Sequence, residues 1–314
     1  MEEKPILLFV GHVSLDNVEN PNGSKIQPGG GALYSAIAAK ALNVNTALVS
    51  AIGKDFKNTQ CFNGIHSSYV KTYNLPTTKF HIQYNKNWEA SYIKTISGAG
   101  AKITSSLIPS KLLESTGLVH LSPMNPVKTT NILSAIKQRA PNVETSVSTW
   151  VGYMKKTRHR RILAQLSFQA DFFMLNEFEL KALTKTSLLS LALERLKARR
   201  YVVTLGRFGA IVGGVDDEPQ MVPALAVPTK KVVDTTGAGD VWNGAFLATY
   251  MTTKNLLQSV AVASVLSSIK CSKWGFNALH KLAFKKPSDL VEHVLALKDG
   301  KIQKRISDKI YYEI

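Results

Sequence analysis

The chain has 314 residues, 45% hydrophobic and 19% charged, with a formal net charge of +17. That length suits one large domain or two ordinary ones, and the composition is globular rather than disordered. No apolar run approaches the roughly 20 residues of a membrane span. Only Cys61 and Cys271 are present, without a CxxC pair, which excludes a disulfide scaffold and a structural zinc site.

The opening MEEKPILLFVGHVS has no basic leader or small-residue cleavage site, so Ile6–Val10 reads as a buried strand and the compartment as reducing and cytoplasmic. Asp16 to Gln27 follows, a polar segment turning at Pro21-Asn22-Gly23. Ala32–Leu42 has helical spacing and Ala47–Ile52 is again a buried strand. Phe80 to Ile96 alternates Phe80, Ile82 and Tyr84 against polar neighbours and turns at Asn85-Lys86-Asn87, as strands with one wet face do. Strands at Leu118–Leu121, Phe172–Leu175 and Tyr201–Leu205 then alternate with helices at Thr129–Arg139, Thr157–Leu166, Glu177–Leu183 and Leu188–Arg199. Such alternation predicts a doubly wound α/β fold, its mostly parallel sheet flanked by helices and its ligands at the carboxyl ends of the strands. The expected division is a core of residues 1–11, 28–79 and 97–314, with 12–27 and 80–96 forming a small β lid.

The positive field attracts anions of any kind. Its densest runs are Lys155 to Arg161, Lys197 to Arg200 and Lys281 to Arg305. No nucleic-acid module accompanies them. They read as solvated helix faces, with no nucleic-acid or membrane partner expected.

One segment carries most of the chemistry: Asp234-Thr235-Thr236-Gly237-Ala238-Gly239-Asp240, leading into a helix. Gly237, Ala238 and Gly239 bring bare backbone close to a ligand at a helix N-terminus, where unpaired N–H groups and the helix dipole make an anion site. A carboxylate beside it, Asp240, is what phosphoryl transfer to an alcohol requires of a general base. The tetrapeptide Gly237–Asp240 alone reads equally as a glycine turn with an N-terminal helix cap.

The longer run, with Gly244-Ala245-Phe246-Leu247 behind it, closely resembles the second signature of the ribokinase (PfkB) carbohydrate-kinase family. The resemblance extends over nearly the whole chain. Gly11 and Asp16 are similar to the family's early strand end and its hydroxyl-holding Asp. Gly29-Gly30-Gly31-Ala32-Leu33-Tyr34-Ser35-Ala36 resembles the first signature, with Gly30, Gly31 and Ser35 expected against substrate; Ser35 stands where most members carry an Asn that contacts it. Asn176-Glu177-Phe178-Glu179 resembles the family's N-x-x-E motif, which implies that Asn176 and Glu179 lie near phosphates and Mg²⁺, Glu179 reaching the metal through water. By itself that tetrapeptide also reads as a capping box. Thr204-Leu205-Gly206-Arg207-Phe208-Gly209 resembles the nucleotide loop, implicating Thr204, Gly206 and Gly209, and alone also reads as a hairpin turn. Gly275-Phe276-Asn277-Ala278 is similar to the later loop beside the adenine, implicating Asn277. A GGGALYSA segment and Ser122 to Val127 are similar to an archaeal branch with myo-inositol kinases, but Ser146 to Gly152 lacks that branch's Asp, Gln and Arg.

The resemblance implies an ATP- and Mg²⁺-dependent kinase for a small carbohydrate-like acceptor (sugar, cyclitol or nucleoside), dimerising through its lid. The competing reading is a non-catalytic nucleotide or metabolite binder that keeps the fold.

Overall fold

A computed structural model describes residues 4–224 and 232–280, and beyond these 282, 284, 285, 287, 289 and 290. Most of the basic run from Lys281 to Arg305 lies outside the described residues. The strands are β1 Ile6–Val10, β2 Ser14–Asn20, β3 Gly23–Gly29, β4 Thr46–Gly53, β5 Val70–Tyr73, β6 Thr78–Tyr84, β7 Ala90–Ile96, β8 Thr116–Leu121, β9 Glu144–Ser148, β10 Phe172–Asn176, β11 Arg200–Thr204, β12 Gly209–Gly214 and β13 Gln220–Pro223. The helices are α1 Gly31–Ala41, α2 Ser110–Glu114, α3 Pro126–Arg139, α4 Val151–Met154, α5 Thr157–Gln169, α6 Glu177–Thr184, α7 Leu189–Arg195, α8 Ala238–Thr253 and α9 Leu256–Lys270.

Nine strands form one sheet in the order β13-β12-β11-β10-β9-β8-β1-β4-β5. The strands from β5 to β11 run parallel, and β12 and β13 are added antiparallel. The core strands are apolar on both faces because both faces are covered. Leu7 and Phe9 point into one hydrophobic layer, with α1, α8 and α9. Leu8 and Val10, of opposite parity, point into the other, with α3, α5, α6 and α7.

The chain leaves β1 toward β4 and β5, then returns to build β8 to β11 on the other side. The tips of β1 and β8 therefore flank the point where winding reverses, and a crevice opens there at the carboxyl ends.

A second sheet of four strands, β3-β2-β6-β7, joins two hairpins through a parallel β2–β6 pair. Its strands span residues 14–29 and 78–96; against Asp16–Gln27 and Phe80–Ile96 read from the pattern, the first segment is two residues longer at both ends and the second two residues longer at its start. The extension of β3 delivers the chain straight into Gly30, the N-cap of α1.

The sequence pattern passes over β9, whose Glu-Thr-Ser-Val-Ser looks polar. Thr145 and Ser146 are nevertheless fully buried, satisfied by Asp171 and by the His120 ring. The helix expected over Leu188–Arg199 stops at Arg195, because the chain must straighten before β11.

Candidate active site

The three glycines at 29 to 31 each leave room for something different. At Gly29 a Cβ would overlap the Asp16 carboxylate. At Gly30, φ is +99° and a Cβ would strike the His12 carbonyl; at Gly31 it would stand 2.8 Å from Asp240 Oδ1. Two acids from distant parts of the chain thus occupy the space vacated by two side chains on one turn of backbone. Asp16 comes from β2 and Asp240 from the first turn of α8.

Asp16 is 2% exposed and its Oδ1 has no hydrogen-bond partner among the described residues. Burial, with the nearby charges of Asp240 and Asp234, pushes its carboxyl up to about 7. Asp240 is partly buried, and the loss of water around it raises its carboxyl to about 7 against the opposing pull of Lys270. An unpaired buried acceptor is costly unless a ligand donates to it.

Gly237 adopts φ +74°, and a Cβ there would run into the Tyr34 ring. Only glycine meets both demands. The Ala238 N–H is not free, since it donates to Thr235 O at 3.1 Å. It therefore does not belong to the expected Gly237–Gly239 amide cradle. Among the described residues the amides of Gly237, Gly239 and Asp240 have no protein acceptor, and the space over Gly239 is open. These are the orphan donors of a helix start, a set of groups able to receive an anion.

The loop is anchored from beneath. Asp234 accepts from Thr236 N (2.8 Å), Gln27 Nε2 (3.0 Å) and Gly275 N (2.8 Å), and Lys270 Nζ donates to the Asp234 carbonyl at 2.7 Å. Burial works to raise the Asp234 carboxyl, but Lys270 and these donors hold it below its ordinary range.

Ser35, expected against substrate, is instead fully buried and donates to the Asp240 backbone carbonyl at 2.8 Å. It ties α1 to α8 rather than lining the crevice.

The family model for pfkB carbohydrate kinases matches residues 9–281, a span that contains every element of this site. The chain belongs to the pfkB family. Cytidine kinase of Thermococcus kodakarensis is 28% identical over 277 residues, covering 86% of this chain and 97% of that protein. Nucleoside kinase of Methanocaldococcus jannaschii is 28% identical over 268 residues, with 77% and 82% covered. The structure of Arabidopsis thaliana ribokinase complexed with ribose and ATP superposes with a TM-score of 0.72 at 20% identity, over 93% of this chain and 99% of that one. The fold is ribokinase-like, and the protein is a carbohydrate kinase of this family.

On the far side of the pfkB crevice, Asn176 ends β10 beside Thr204, which ends β11. Asn176 and Glu179 form a complete capping box, each side chain meeting the other's backbone N–H at 2.9 Å. Glu179 is 7% exposed, and burial plus the Asp240 charge raises its carboxyl to about 8. Two enclosed carboxyls that disfavour each other's ionisation form a place where added positive charge is welcome. Among the described residues no three ligating side chains cluster. A magnesium ion here would be held by few protein groups, which suits its habit of keeping water.

Gly206 (φ +57°) has open space above it, whereas at Gly209 (φ +112°) a Cβ would meet the backbone at Val222 and Ala224. Gly209 is thus constrained by the close pairing of β12 with β13. Asn277 stands exposed in the turns after α9.

Sequence reading missed an aromatic wall. His12 and Phe80 rings meet edge-on at 6.4 Å, Phe80 and Tyr92 at 6.0 Å, Tyr92 and Trp150 at 4.9 Å, and Trp150 and Tyr153 at 5.3 Å. Tyr92 from β7 lies within electrostatic reach of Asp16, Asp240 and Glu179, which puts this end of the wall near the acids. Trp150 Nε1 and Thr149 Oγ1 are buried there without partners among the described residues. The signal available was the alternation of Phe80, Ile82 and Tyr84 on one small-sheet segment; Trp150, after a strand end, reads along the chain either as a stacking ring or as core.

Proposed function

We propose that this kinase moves the γ-phosphoryl group of ATP to a hydroxyl of a nucleoside. One observation carries the reading: the Asp16 and Asp240 carboxylates lie over Gly29 and Gly31, the first with an unpaired oxygen, beside the open Gly237 and Gly239 amides. Asp16 accepts from sugar hydroxyls and orients the acceptor. Asp240 takes the proton of the attacking hydroxyl as its oxygen bonds to the γ-phosphorus, and the bond to the β-phosphate oxygen breaks to release ADP. The Gly237 and Gly239 amides, with the α8 dipole, stabilise charge on the phosphoryl oxygens.

Thr204 and Gly206 line the nucleotide side, where open space at Gly206 lets the chain approach ATP closely. Glu179 would hold Mg²⁺ through water, and the ion when bound neutralises triphosphate charge. The β2-β3-β6-β7 sheet acts as a lid that excludes water as a competing acceptor.

A nucleoside is favoured over a plain sugar because the wall from His12 to Trp150 offers flat apolar surface to a base, and the unpaired Trp150 and Thr149 groups offer it polar partners. The names of the Thermococcus and Methanocaldococcus relatives agree.

A coupled ADP-release assay with Mg-ATP, run over cytidine, other nucleosides, ribose and myo-inositol, tests this. Turnover is expected to be highest for a nucleoside. A preference for ribose or myo-inositol would remove the role given to the aromatic wall. No turnover on any of them would favour a non-catalytic binder.

A further inference from the structure

Lys270 is the last residue of α9 and is 0% exposed. A solitary buried ammonium is costly, so its partners are informative. Nζ lies 2.7 Å from the Asp234 carbonyl and 3.3 Å from Asp234 Oδ2, and 5.6 Å from the centre of the Tyr34 ring. That ring is the one filling the space at Gly237. The same end of α9 grips the loop at further points: Cys271 O accepts from Val233 and Asp234 N–H, and Ser267 Oγ donates to Ala238 O at 2.8 Å. Through Asp234 the clasp extends to Gln27 on β3 and to Gly275. One charged pair therefore joins the small sheet, α1 and α9 to the segment that presents the open amides.

We propose that Lys270 is a positioning residue for phosphoryl transfer: its ammonium, pinned on Asp234, keeps the 234–239 loop with its amides outward and cancels the Asp234 charge beneath the phosphoryl site. The inference rests on the assignment of Asp240 as base and of the loop as anion cradle. Hydrogen bonds alone could shape the loop, but a neutral donor would leave the Asp234 carboxylate uncompensated beneath a site that must receive a triphosphate. With Lys270 in place the pair is neutral, and the helix dipole is free to act on the incoming phosphate.

The groups facing Asp240 are Lys270 from α9, Asp16 from β2, Glu179 from α6, Tyr34 from α1 and Tyr92 from β7. Lys270 alone among them carries a positive charge, and it opposes the rise in the Asp240 carboxyl.

The test compares the full chain with Lys270→Met, the neutral pair Lys270→Met/Asp234→Asn, and the surface control Lys254→Met. Cytidine with Mg-ATP serves for kinetics, ATP alone for calorimetry, and ¹³C NMR follows the Asp240 carboxyl. Lys270→Met is expected to lower kcat about 10- to 100-fold, the range of a lost electrostatic contact. ATP should bind at least about fivefold more weakly, and the Asp240 titration midpoint should move upward. Ammonium or methylammonium chloride should restore part of kcat in Lys270→Met but not in the double variant, which has lost the anchor for the added cation. The double variant, with no unpaired buried charge, keeps the test alive if the single one fails to fold; its kcat should remain depressed. Wild-type kcat in either folded variant, or unchanged ATP affinity and Asp240 midpoint, would overturn the proposal. A wild-type protein inactive on cytidine would count against the functional reading only, since ATP affinity and the NMR midpoint still report on Lys270.

Discussion

An alanine at position 31 would place its Cβ 2.8 Å from Asp240 Oδ1, closer than such atoms settle. The carboxylate would have to leave the position from which it meets a hydroxyl. Gly31→Ala should therefore lower kcat at least about tenfold, in line with the sensitivity of such reactions to small misplacements, while circular dichroism stays unchanged. Asp240→Asn removes the proton acceptor and should lower kcat by roughly 10²–10⁴. Because the Asp240 carboxyl lies near 7 in the free protein, kcat/KM should rise with pH through neutrality and level off above it. The stability sign runs the other way. A carboxyl whose folded value is raised makes the native state hold a proton that the unfolded chain releases, so this contribution falls as pH rises from about 4 to 7. Asp240→Asn should then melt higher than the parent at pH 8, by about 2–4 °C, with the gap narrowing at pH 5. A variant that melts lower at pH 8 would mean that Asp240 is stabilised by its surroundings rather than strained.

At the scale of elements, the position of Asp240 depends on how closely α8 approaches α1. Gly244 allows the contact, since a Cβ there would overlap the Ser35 backbone, and Ser35 Oγ fastens the two helices at the Asp240 carbonyl. Gly244→Ala should cost about 1–3 kcal/mol by overpacking. It should also lower kcat, because the helix that moves carries the proposed base, Asp240; denaturant melts and kinetics on one preparation would show both. The small sheet meets the core through Tyr92 and Trp150, whose ring centres are 4.9 Å apart. Trp150→Ala should raise KM for a nucleoside about fivefold or more, the value of one base-aromatic contact, and leave KM for ATP unchanged. A rise in both would mean that Trp150 supports the fold rather than the acceptor.

For the molecule as a whole, reversal of winding between β1 and β8 opens the crevice, and the residues expected at the site, apart from Asp16 inside β2, Ser35 inside α1 and Asn277, belong to strand ends, helix starts or the loops between such elements. A ligand that binds only this assembled edge stabilises the entire fold. At a concentration 100-fold above Kd the gain is about 2.7 kcal/mol. A nucleoside should therefore raise Tm of the parent chain in a thermal-shift assay and have little effect on Asp16→Ala, which lacks the buried acceptor. Equal shifts in both would place the nucleoside elsewhere. Among the described residues no helix is long and apolar enough to cross a membrane.

Local pattern sufficed for the layered α/β fold, for most strands and helices, and for singling out Asp240 beside its glycines, because two-sided burial and glycine-rich helix starts leave marks within a few residues; Asp16 and Gly31 were singled out by the family resemblance. Asn176 and Glu179 were equally legible as a pair, and the capping box formed. Packing between distant segments decided the rest. Ser35 and Ser146 look like pocket residues along the chain, yet Ser35 is claimed by α8 and Ser146 by His120. Ala238 sits between two glycines of the cradle, yet its amide is taken by Thr235. Lys270 lies 30 residues beyond Asp240 at the end of a largely apolar helix, and only the docking of α9 under the loop puts its charge on Asp234. A hydrogen bond or a ring contact between residues tens of positions apart has no local period to betray it, so the aromatic wall and the buried cation appear only once the sheet has brought its strand ends together.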